Sequence, residues 1–186
     1  MSSDEFELLR LVATGDREAF ESLFRLYHPR VYKFSMKLLQ DHSLAEEATC
    51  DTLFAVWEGA SKFKSNSSVS TWIFGIAYRR SMKSYKRDAR HVHKIEPDVE
   101  LEALTEKSHA VNPEIYANNI LEGTQLLAAM ETLSADHTVV VELTALGHSC
   151  AEIAQIAGCP ENTVKTRMFH ARRKLRAQLQ ETSHDK

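Results

Sequence analysis

Cysteine is scarce in this chain of 186 residues, where Cys50, Cys150 and Cys159 are three thiols at wide spacing. They provide neither a disulfide framework nor a paired Cys-x2-Cys motif, so we expect reduced thiols, no metal and no cofactor. A zinc site that adds His148 to the last two thiols, or a thiol switch, is the less favoured alternative. Apolar runs are too short to span a bilayer, and the N-terminus is acidic, unlike a secretory signal. These absences predict a cytoplasmic protein.

Glycine and proline are also few, at six and four residues, and strand-like alternation is scarce. Apolar residues instead recur at helical spacing between short turns, which predicts an all-α fold. Asp16 is expected to cap a long helix that Pro29 bends or restarts. Ser43 and Glu46 are expected to form a capping box at the start of the next helix, which ends at Gly59.

The residue constellations of enzymes are missing as well. The sequence has no nucleophile with an adjacent base, no glycine-rich phosphate loop and no paired carboxylates at catalytic spacing. We therefore expect neither enzymatic activity nor a small-molecule substrate.

Charge is present in blocks, although the formal net charge is only -3. Residues 79–94 contain seven Lys or Arg against one acid, and residues 165–176 contain six with no acid. Between them, residues 95–122 carry seven acids against one Lys, as expected of a solvated linker. Two basic patches on two lobes favour a nucleic-acid partner over a hydrated surface. We predict two small helical domains, residues 1–94 and 124–186, joined by a flexible acidic linker, residues 95–123.

The segment STWIFGIAYRRSMKSYKR, residues 70–87, reads as one helix with an apolar face and a basic face, capped by Ser70 or Thr71. Trp72 and Ile76 do not lie on the apolar face, because their angles place them among the cations. A tryptophan beside cations is suited to stacking on unpaired nucleic acid. A half-buried structural anchor is the alternative for this tryptophan.

The stretch SCAEIAQIAGCPENTVKTRMFHARRKLRAQL, residues 149–179, follows the pattern of a helix-turn-helix. Ser149 and Glu152 are expected to form a capping box on a first helix that ends at Gly158. One face of the second helix is an apolar stripe that should pack inward: Val164, Met168, Ala171, Leu175 and Leu179. Phe169 lies on the opposite face, where it contacts either DNA or a neighbouring helix.

Together the two lobes resemble the bacterial sigma factors of RNA polymerase, and specifically the small extracytoplasmic-function (ECF) group. AEEATCDTLFAVW, residues 45–57, is similar to region 2.2, and residues 70–87 are similar to regions 2.3 and 2.4. Residues 133–176 are similar to region 4. The ordered pair of lobes with an acidic linker between them is more specific than a helix-turn-helix alone.

The resemblance implies that the first lobe holds the melted -10 element of a promoter. Small polar side chains in the loop before the helix suit the edge of a flipped-out base, and a plain flexible connector is the alternative. Trp72 is then a wedge at the upstream edge of the melted bubble, and the cations follow the strand. The implied -10 residues are Lys64, Ser65, Asn66, Ser67, Ser68, Trp72, Arg79, Arg80, Lys83, Lys86 and Arg87.

The second lobe is implied to read the duplex -35 element. Side chains near the start of a recognition helix reach base edges, whereas Lys and Arg neutralise phosphates. The implied -35 residues are Lys165, Thr166, Arg167, Phe169, His170 and Arg173.

Two protein partners are also implied by the resemblance. Core RNA polymerase should bind region 2.2 at Glu47, Cys50 and Asp51, where Cys50 replaces a common glutamine and weakens a polar contact. An anti-sigma factor, which would hold the protein at the inner membrane face if it is membrane-anchored, should cover the polymerase surfaces of both lobes until an envelope or stress signal releases the sigma factor.

Two other functions fit parts of the same pattern. A conventional repressor or activator would use the helix-turn-helix on duplex DNA alone, usually as a dimer. A helical adaptor would bind protein, and its basic faces would be incidental. A sigma factor differs from both because it needs core polymerase, and a tryptophan within a cationic stripe has no use in a repressor.

Overall fold

The computed structural model describes residues 3–95, 128–130 and 132–184, and the regular elements in this part of the chain are helices. The all-α prediction is confirmed. Except for Ile95, the predicted linker, residues 95–123, lies outside the described residues. The first lobe contains α1 (Ser3–Val12), α2 (Arg17–Leu39), α3 (His42–Gly59), a 3-10 turn (Ala60–Lys62) and α4 (Val69–Ile95). The second contains α5 (Ala135–Ala145), α6 (Cys150–Ala157) and α7 (Glu161–His184).

Short polar side chains decide where α2 and α3 begin. As predicted, Asp16 caps α2, because its carboxylate accepts the backbone N–H groups of Glu18 and Ala19. This helix continues without interruption through Pro29. The prediction of a Ser43 capping box on α3 is wrong, since Asp41 accepts the N–H of Leu44 at 2.8 Å and starts the helix at His42.

Two expectations for α4 need correction. Its cap is Ser68, whose hydroxyl accepts the N–H of Thr71 at 3.0 Å, so neither Ser70 nor Thr71 opens the helix. Ile76 is only 8% exposed rather than lying in solvent among the cations. The reason is that α2, α3 and α6 all pack against α4, which covers more of its circumference than one apolar face.

The core of the first lobe is built around large aromatic side chains on α2 and α4. Tyr27, Phe34 and Phe74 are fully buried, and the Phe74 ring meets Phe34 edge-on at 5.7 Å. Further toward the C-terminal parts of α2 and α4, the hydroxyls of Ser35 and Ser81 form a buried hydrogen bond of 3.0 Å. This bond satisfies both polar groups and fixes the register of α2 against α4.

The second lobe is a three-helix unit that packs against the first. Val139, Leu143, Ile153, Val164 and Ala171 are its buried centre. α6 contacts α4, and α5 contacts α2, so the buried side chains of both lobes form one continuous hydrophobic cluster. The lobes therefore share a core, which their separation along the sequence does not predict.

Candidate nucleic-acid interface

The loop before α4 presents small polar groups on a fixed frame. Lys64, Ser65 and Asn66 are exposed, while Ser67 and Ser68 are half-buried. Ser65 adopts a left-handed backbone, with φ of 56°, which turns the chain sharply at this point. Because Ser68 is also the cap of α4, the loop ends at a hydrogen-bonded helix start rather than as a free connector.

Trp72 lies one turn into α4 and is half-buried. Its ring meets Phe63 at a centroid distance of 5.2 Å, and a Cβ atom on Gly59 would lie 3.3 Å from the indole. The glycine thus leaves room for the ring at the end of α3. The indole packs on the first lobe on one side and is partly exposed on the other. It is therefore a half-buried anchor that still leaves some ring surface accessible.

The cations of α4 are divided between solvent and the acids of α3. Arg79, Lys83, Lys86 and Arg87 are exposed, and Arg80 is half-buried. Arg80 lies 3.8 Å from Asp51, and Arg87 lies 3.1 Å from Glu47. These ion pairs join side chains that are about half exposed, so each contributes at most about 1 kcal/mol and can be exchanged for a phosphate contact.

The predicted polymerase-binding residues share one exposed face of α3. Glu47, Cys50 and Asp51 are all exposed, and the pKa of the Cys50 thiol is raised by burial and by the neighbouring carboxylates of Glu46 and Asp51. Phe54 extends the same face by one turn and is 61% exposed. Sequence reasoning missed this ring, although its spacing of three from Asp51 is the signal that could have found it.

The helix-turn-helix has the predicted order and caps. Ser149 and Glu152 form a capping box on α6, and Gly158 ends that helix with a left-handed backbone, φ 64°. On α7, Val164 and Ala171 are fully buried, and Met168, Leu175 and Leu179 are half-buried, so the inward stripe is confirmed.

The outward face of α7 forms one side of an open cleft of about 610 Å³. Phe169 is 63% exposed in this cleft, which agrees with a ligand contact rather than packing on a neighbouring helix. A lining that combines apolar side chains with cations suits a nucleic-acid backbone with a base methyl beside it. The lining residues are Thr144, Cys150, Lys165, Met168, Phe169, Arg172, Arg173 and Arg176.

Several of the predicted -35 residues also make contacts within the protein. Arg167 donates to Asp136 at 2.6 Å, and with a side chain only 25% exposed it joins α7 to α5. Thr166 donates its hydroxyl to the carbonyl of Asn162. His170 is half-buried beside the ring of Phe169 at 5.5 Å. Lys165, Thr166, Phe169 and Arg173 are the predicted residues that are exposed on α7, and Lys165 also lies 3.9 Å from Glu161 on the same helix.

Neither a metal site nor a membrane helix is found in the described part of the chain. Residues 3–95, 128–130 and 132–184 contain no group of three metal-ligating side chains, including around His148. In the same ranges no helix is long and apolar enough to cross a bilayer.

Both lobes match known sequence families. Residues 23–91 match Sigma-70 region 2, and residues 123–175 match Sigma-70 region 4. The ECF RNA polymerase sigma factor RpoE of Cereibacter sphaeroides is 30% identical over 166 residues, which cover 88% of each protein. The chain belongs to the ECF RNA polymerase sigma factors. SigM of Mycobacterium tuberculosis, another ECF sigma factor, is 26% identical over 91% of this chain and 81% of that protein.

Solved structures agree with this assignment. The sigma factor RpoE of Bartonella quintana, in complex with the anti-sigma factor NepR, has a TM-score of 0.68 at 26% identity and covers 87% of this chain and 96% of that chain. CnrH, in complex with the cytosolic domain of CnrY, shares the fold with a TM-score of 0.69 at 21% identity, covering 96% and 99%. As a sigma factor, the protein binds core RNA polymerase and directs transcription initiation at promoters.

Proposed function

We propose that this sigma factor divides promoter recognition between its two lobes. The loop of residues 64–68 and Trp72 hold the melted -10 element, while the outward face of α7 reads the duplex -35 element. The corresponding domains are residues 1–94 and 124–186, with residues 95–123 as the linker between them.

The observation that carries the proposal is the exposure of Phe169 within a cationic cleft. An aromatic ring that is 63% exposed gives up hydrophobic stabilisation unless a ligand covers it. Lys165, Arg172, Arg173 and Arg176 line the same cleft and would neutralise phosphates on either side of the ring. Arg167 is better assigned to holding α7 on α5, because contact with DNA would break its ion pair with Asp136.

The first lobe supplies binding energy for strand separation and no covalent chemistry. Stacking in a DNA duplex averages about 1.4 kcal/mol per base-pair step. A stacking contact with a protein ring contributes about 1–3 kcal/mol. Stacking on Trp72 and one or two base contacts from the loop can therefore offset the free energy of opening a few base pairs. The core enzyme supplies the remaining contacts to DNA and all catalysis.

We also infer regulation by an anti-sigma factor in the cytoplasm. The Bartonella quintana RpoE structure, which shares the fold of this chain, holds NepR as its anti-sigma factor. The exposed face of α3 with Glu47, Asp51 and Phe54 is the surface on which such an inhibitor would compete with polymerase. An envelope or stress signal would then release the sigma factor.

Run-off transcription tests the proposal directly. Purified core polymerase is combined with this chain and a library of randomised promoters, and the transcribed templates are sequenced. Transcripts enriched for two separated sequence elements are expected. A compatible core that yields no promoter-dependent transcripts with this chain would refute the proposed roles of both lobes.

Phe169→Ala and Lys165→Ala should each weaken recognition of the -35 element. Loss of one good base contact costs about 1–3 kcal/mol, so transcription from promoters that depend on this element should fall roughly 5- to 150-fold. The enriched upstream sequence should also change in the library experiment. Gln155→Ala, at an exposed position on α6, is the matched control. An unchanged upstream sequence preference in both variants would show that α7 does not read bases.

Phe54→Ala should weaken binding to core polymerase without affecting DNA. Buried aromatic anchors at protein interfaces often contribute about 2 kcal/mol, so the Kd for core should rise roughly 10- to 30-fold in a fluorescence titration. Leu26→Ala removes another exposed apolar side chain, on α2, and should leave the Kd unchanged. Equal effects of the two substitutions would show that the face of α3 is not the specific contact.

A further inference from the structure

Two histidine side chains meet at the contact between α5 and α7. His137 is the third residue of α5, and His170 lies near the middle of α7. Both are half-buried, and their ring centroids are 6.4 Å apart with planes inclined at 37°. The ring of His170 also meets Phe169 edge-on at 5.5 Å. A row of three rings therefore leads from α5 to the side chain that is proposed to contact a base.

His170 lies on the edge of the outward face of α7 that turns toward α5. It stands four residues after Thr166 and three residues before Arg173, and both of these neighbours are exposed. Residues at these spacings are adjacent on the surface of a helix. Arg173 lines the cationic cleft together with Phe169. A phosphate held by Arg173 would therefore stand beside the imidazole of His170.

The charged groups around the two imidazoles carry a positive excess. Asp136 is the acid next to His137 on α5, and its Oδ2 atom accepts a hydrogen bond from Arg167 at 2.6 Å. Lys174 on α7 donates to the backbone carbonyl of Thr132, just before α5. One carboxylate and two fixed cations thus leave one positive charge unbalanced beside the histidines.

Other titratable side chains on nearby elements leave this excess in place in the described part of the chain. Tyr78 on α4 and the thiol of Cys159 both face the ion pair, and burial raises the pKa of Tyr78, which therefore stays neutral. Glu142 on α5 faces two lysines of α2 instead. Glu152 on α6 accepts hydrogen bonds at the starts of α6 and α4, and Cys150 lines the cleft.

Burial and positive neighbours keep His137 uncharged in the free protein. Burial is the largest cause that lowers the pKa of His137, and the positive charges of a protonated His170, of Lys174 and of Arg167 act in the same direction. Asp136 opposes them without reversing the result. His137 is therefore neutral at pH 7.

Phosphates of the -35 duplex would reverse the sign of this environment. A negative charge beside an imidazole favours its protonated form, and the exclusion of water by DNA strengthens the interaction. Because the two rings are in contact, a charge on one disfavours a charge on the other, so the pair gains about one proton rather than two. Binding that takes up a proton is tighter at low pH and weakens as the pH rises through the range in which histidine titrates.

We propose that His137 and His170 form a proton-binding pair for recognition of the -35 element, in which His137 is a positioning residue that acts through His170 on Phe169. The pair takes up a proton when the outward face of α7 binds DNA, so recognition of this element strengthens as the pH falls. The proposal rests on the proposed reading of the -35 element by α7.

The pH dependence of -35 recognition in the holoenzyme tests the pair. The full chain with core polymerase is titrated with two fluorescent promoters that share one -10 element. One carries the -35 sequence enriched in the transcription library, and the other carries that sequence scrambled. The ratio of the two Kd values isolates the -35 contribution, because the pH response of core polymerase is common to both. This ratio should grow roughly 10-fold between about pH 8 and about pH 6.

Two substitutions of His170 bracket the wild-type response. His170→Arg supplies a fixed charge, so its Kd ratio should stay near the wild-type low-pH value at every pH. His170→Gln cannot be charged, so its ratio should stay near the wild-type high-pH value. Calorimetry in two buffers of different ionisation enthalpy measures proton uptake directly. Uptake near neutral pH should be about 0.5–1 proton for wild type and near zero for both variants.

Substitutions of His137 test its positioning role. His137→Phe keeps a ring against His170 and should keep the pH response, whereas His137→Lys places a permanent cation there and should flatten it. His137→Ala removes the ring and should lower the Kd ratio at every pH, and the phenylalanine variant should restore it. His28→Gln, which removes a half-buried histidine of α2, is the matched control and should keep the wild-type response.

Failure of the pair and failure of the proposed function give different results. Equal Kd values for the enriched and scrambled promoters at every pH would refute -35 reading by α7, and the pair with it. A preference for the enriched sequence that does not change with pH, or a pH response that persists in both His170 variants, would overturn the pair and leave -35 reading intact. Equal pH responses in His137→Phe, His137→Lys and His137→Ala would remove His137 from the pair.

Discussion

Phe74→Ala is expected to lower the free energy of unfolding by about 3–5 kcal/mol. The ring is fully buried and contacts Phe34 at 5.7 Å, Tyr27 at 6.5 Å and, across the lobes, His148 at 5.3 Å. Its removal leaves a cavity among three rigid aromatic groups that cannot collapse to fill it. Because a domain of this size is stable by only about 5–15 kcal/mol, the variant should be largely unfolded at modest denaturant concentrations.

Urea denaturation followed by circular dichroism measures this effect. Phe169→Ala is the matched control, since it removes the same ring from a position that is 63% exposed, and its stability should stay within about 0.5 kcal/mol of wild type. Phe74→Leu should recover most of the lost stability. A loss below about 1 kcal/mol in Phe74→Ala would contradict the packing described for the first lobe.

Trp72→Ala should impair promoter opening far more than initial promoter binding. One stacking contact contributes about 1–3 kcal/mol, so the rate or extent of opening should fall roughly 5- to 150-fold. Permanganate reactivity of unpaired thymines in the -10 element measures opening, and a gel-shift experiment at low temperature measures the closed complex.

Two controls separate stacking from folding. A template that already carries an unpaired bubble at the -10 element should restore most of the activity, because the wedge is no longer needed. Trp72→Phe keeps an aromatic face against Phe63 and should retain part of the opening activity. Equal losses in closed-complex formation and in opening would show that the indole only supports the bundle.

The inward and outward faces of α7 could largely be predicted from the sequence. Val164 and Ala171 are buried and Phe169 is exposed, as the spacing on α7 requires, because one helix lying on one core follows a simple periodicity. Ser149, Glu152 and Gly158 likewise form the predicted caps, since capping depends on residues only three or four positions apart.

Contacts between distant segments of the chain could not be predicted from the sequence. Ile76 is buried because helices from both lobes surround α4, and a helical wheel describes one element at a time. For the same reason the pairing of Arg80 with Asp51 and of Arg167 with Asp136 could not be foreseen. The bond from Thr71 to Glu152 joins residues 81 positions apart, which no local pattern records.

Gly59 illustrates how such a distant contact can determine a residue type. It ends α3 with an ordinary backbone, φ -94° and ψ -8°, which any amino acid adopts, so its own conformation does not require glycine. Glycine is favoured here because the indole of Trp72, on another helix, occupies the space that a side chain would take. The position of the Trp72 indole at the surface of the first lobe is therefore set in part by an absent methyl group thirteen residues earlier.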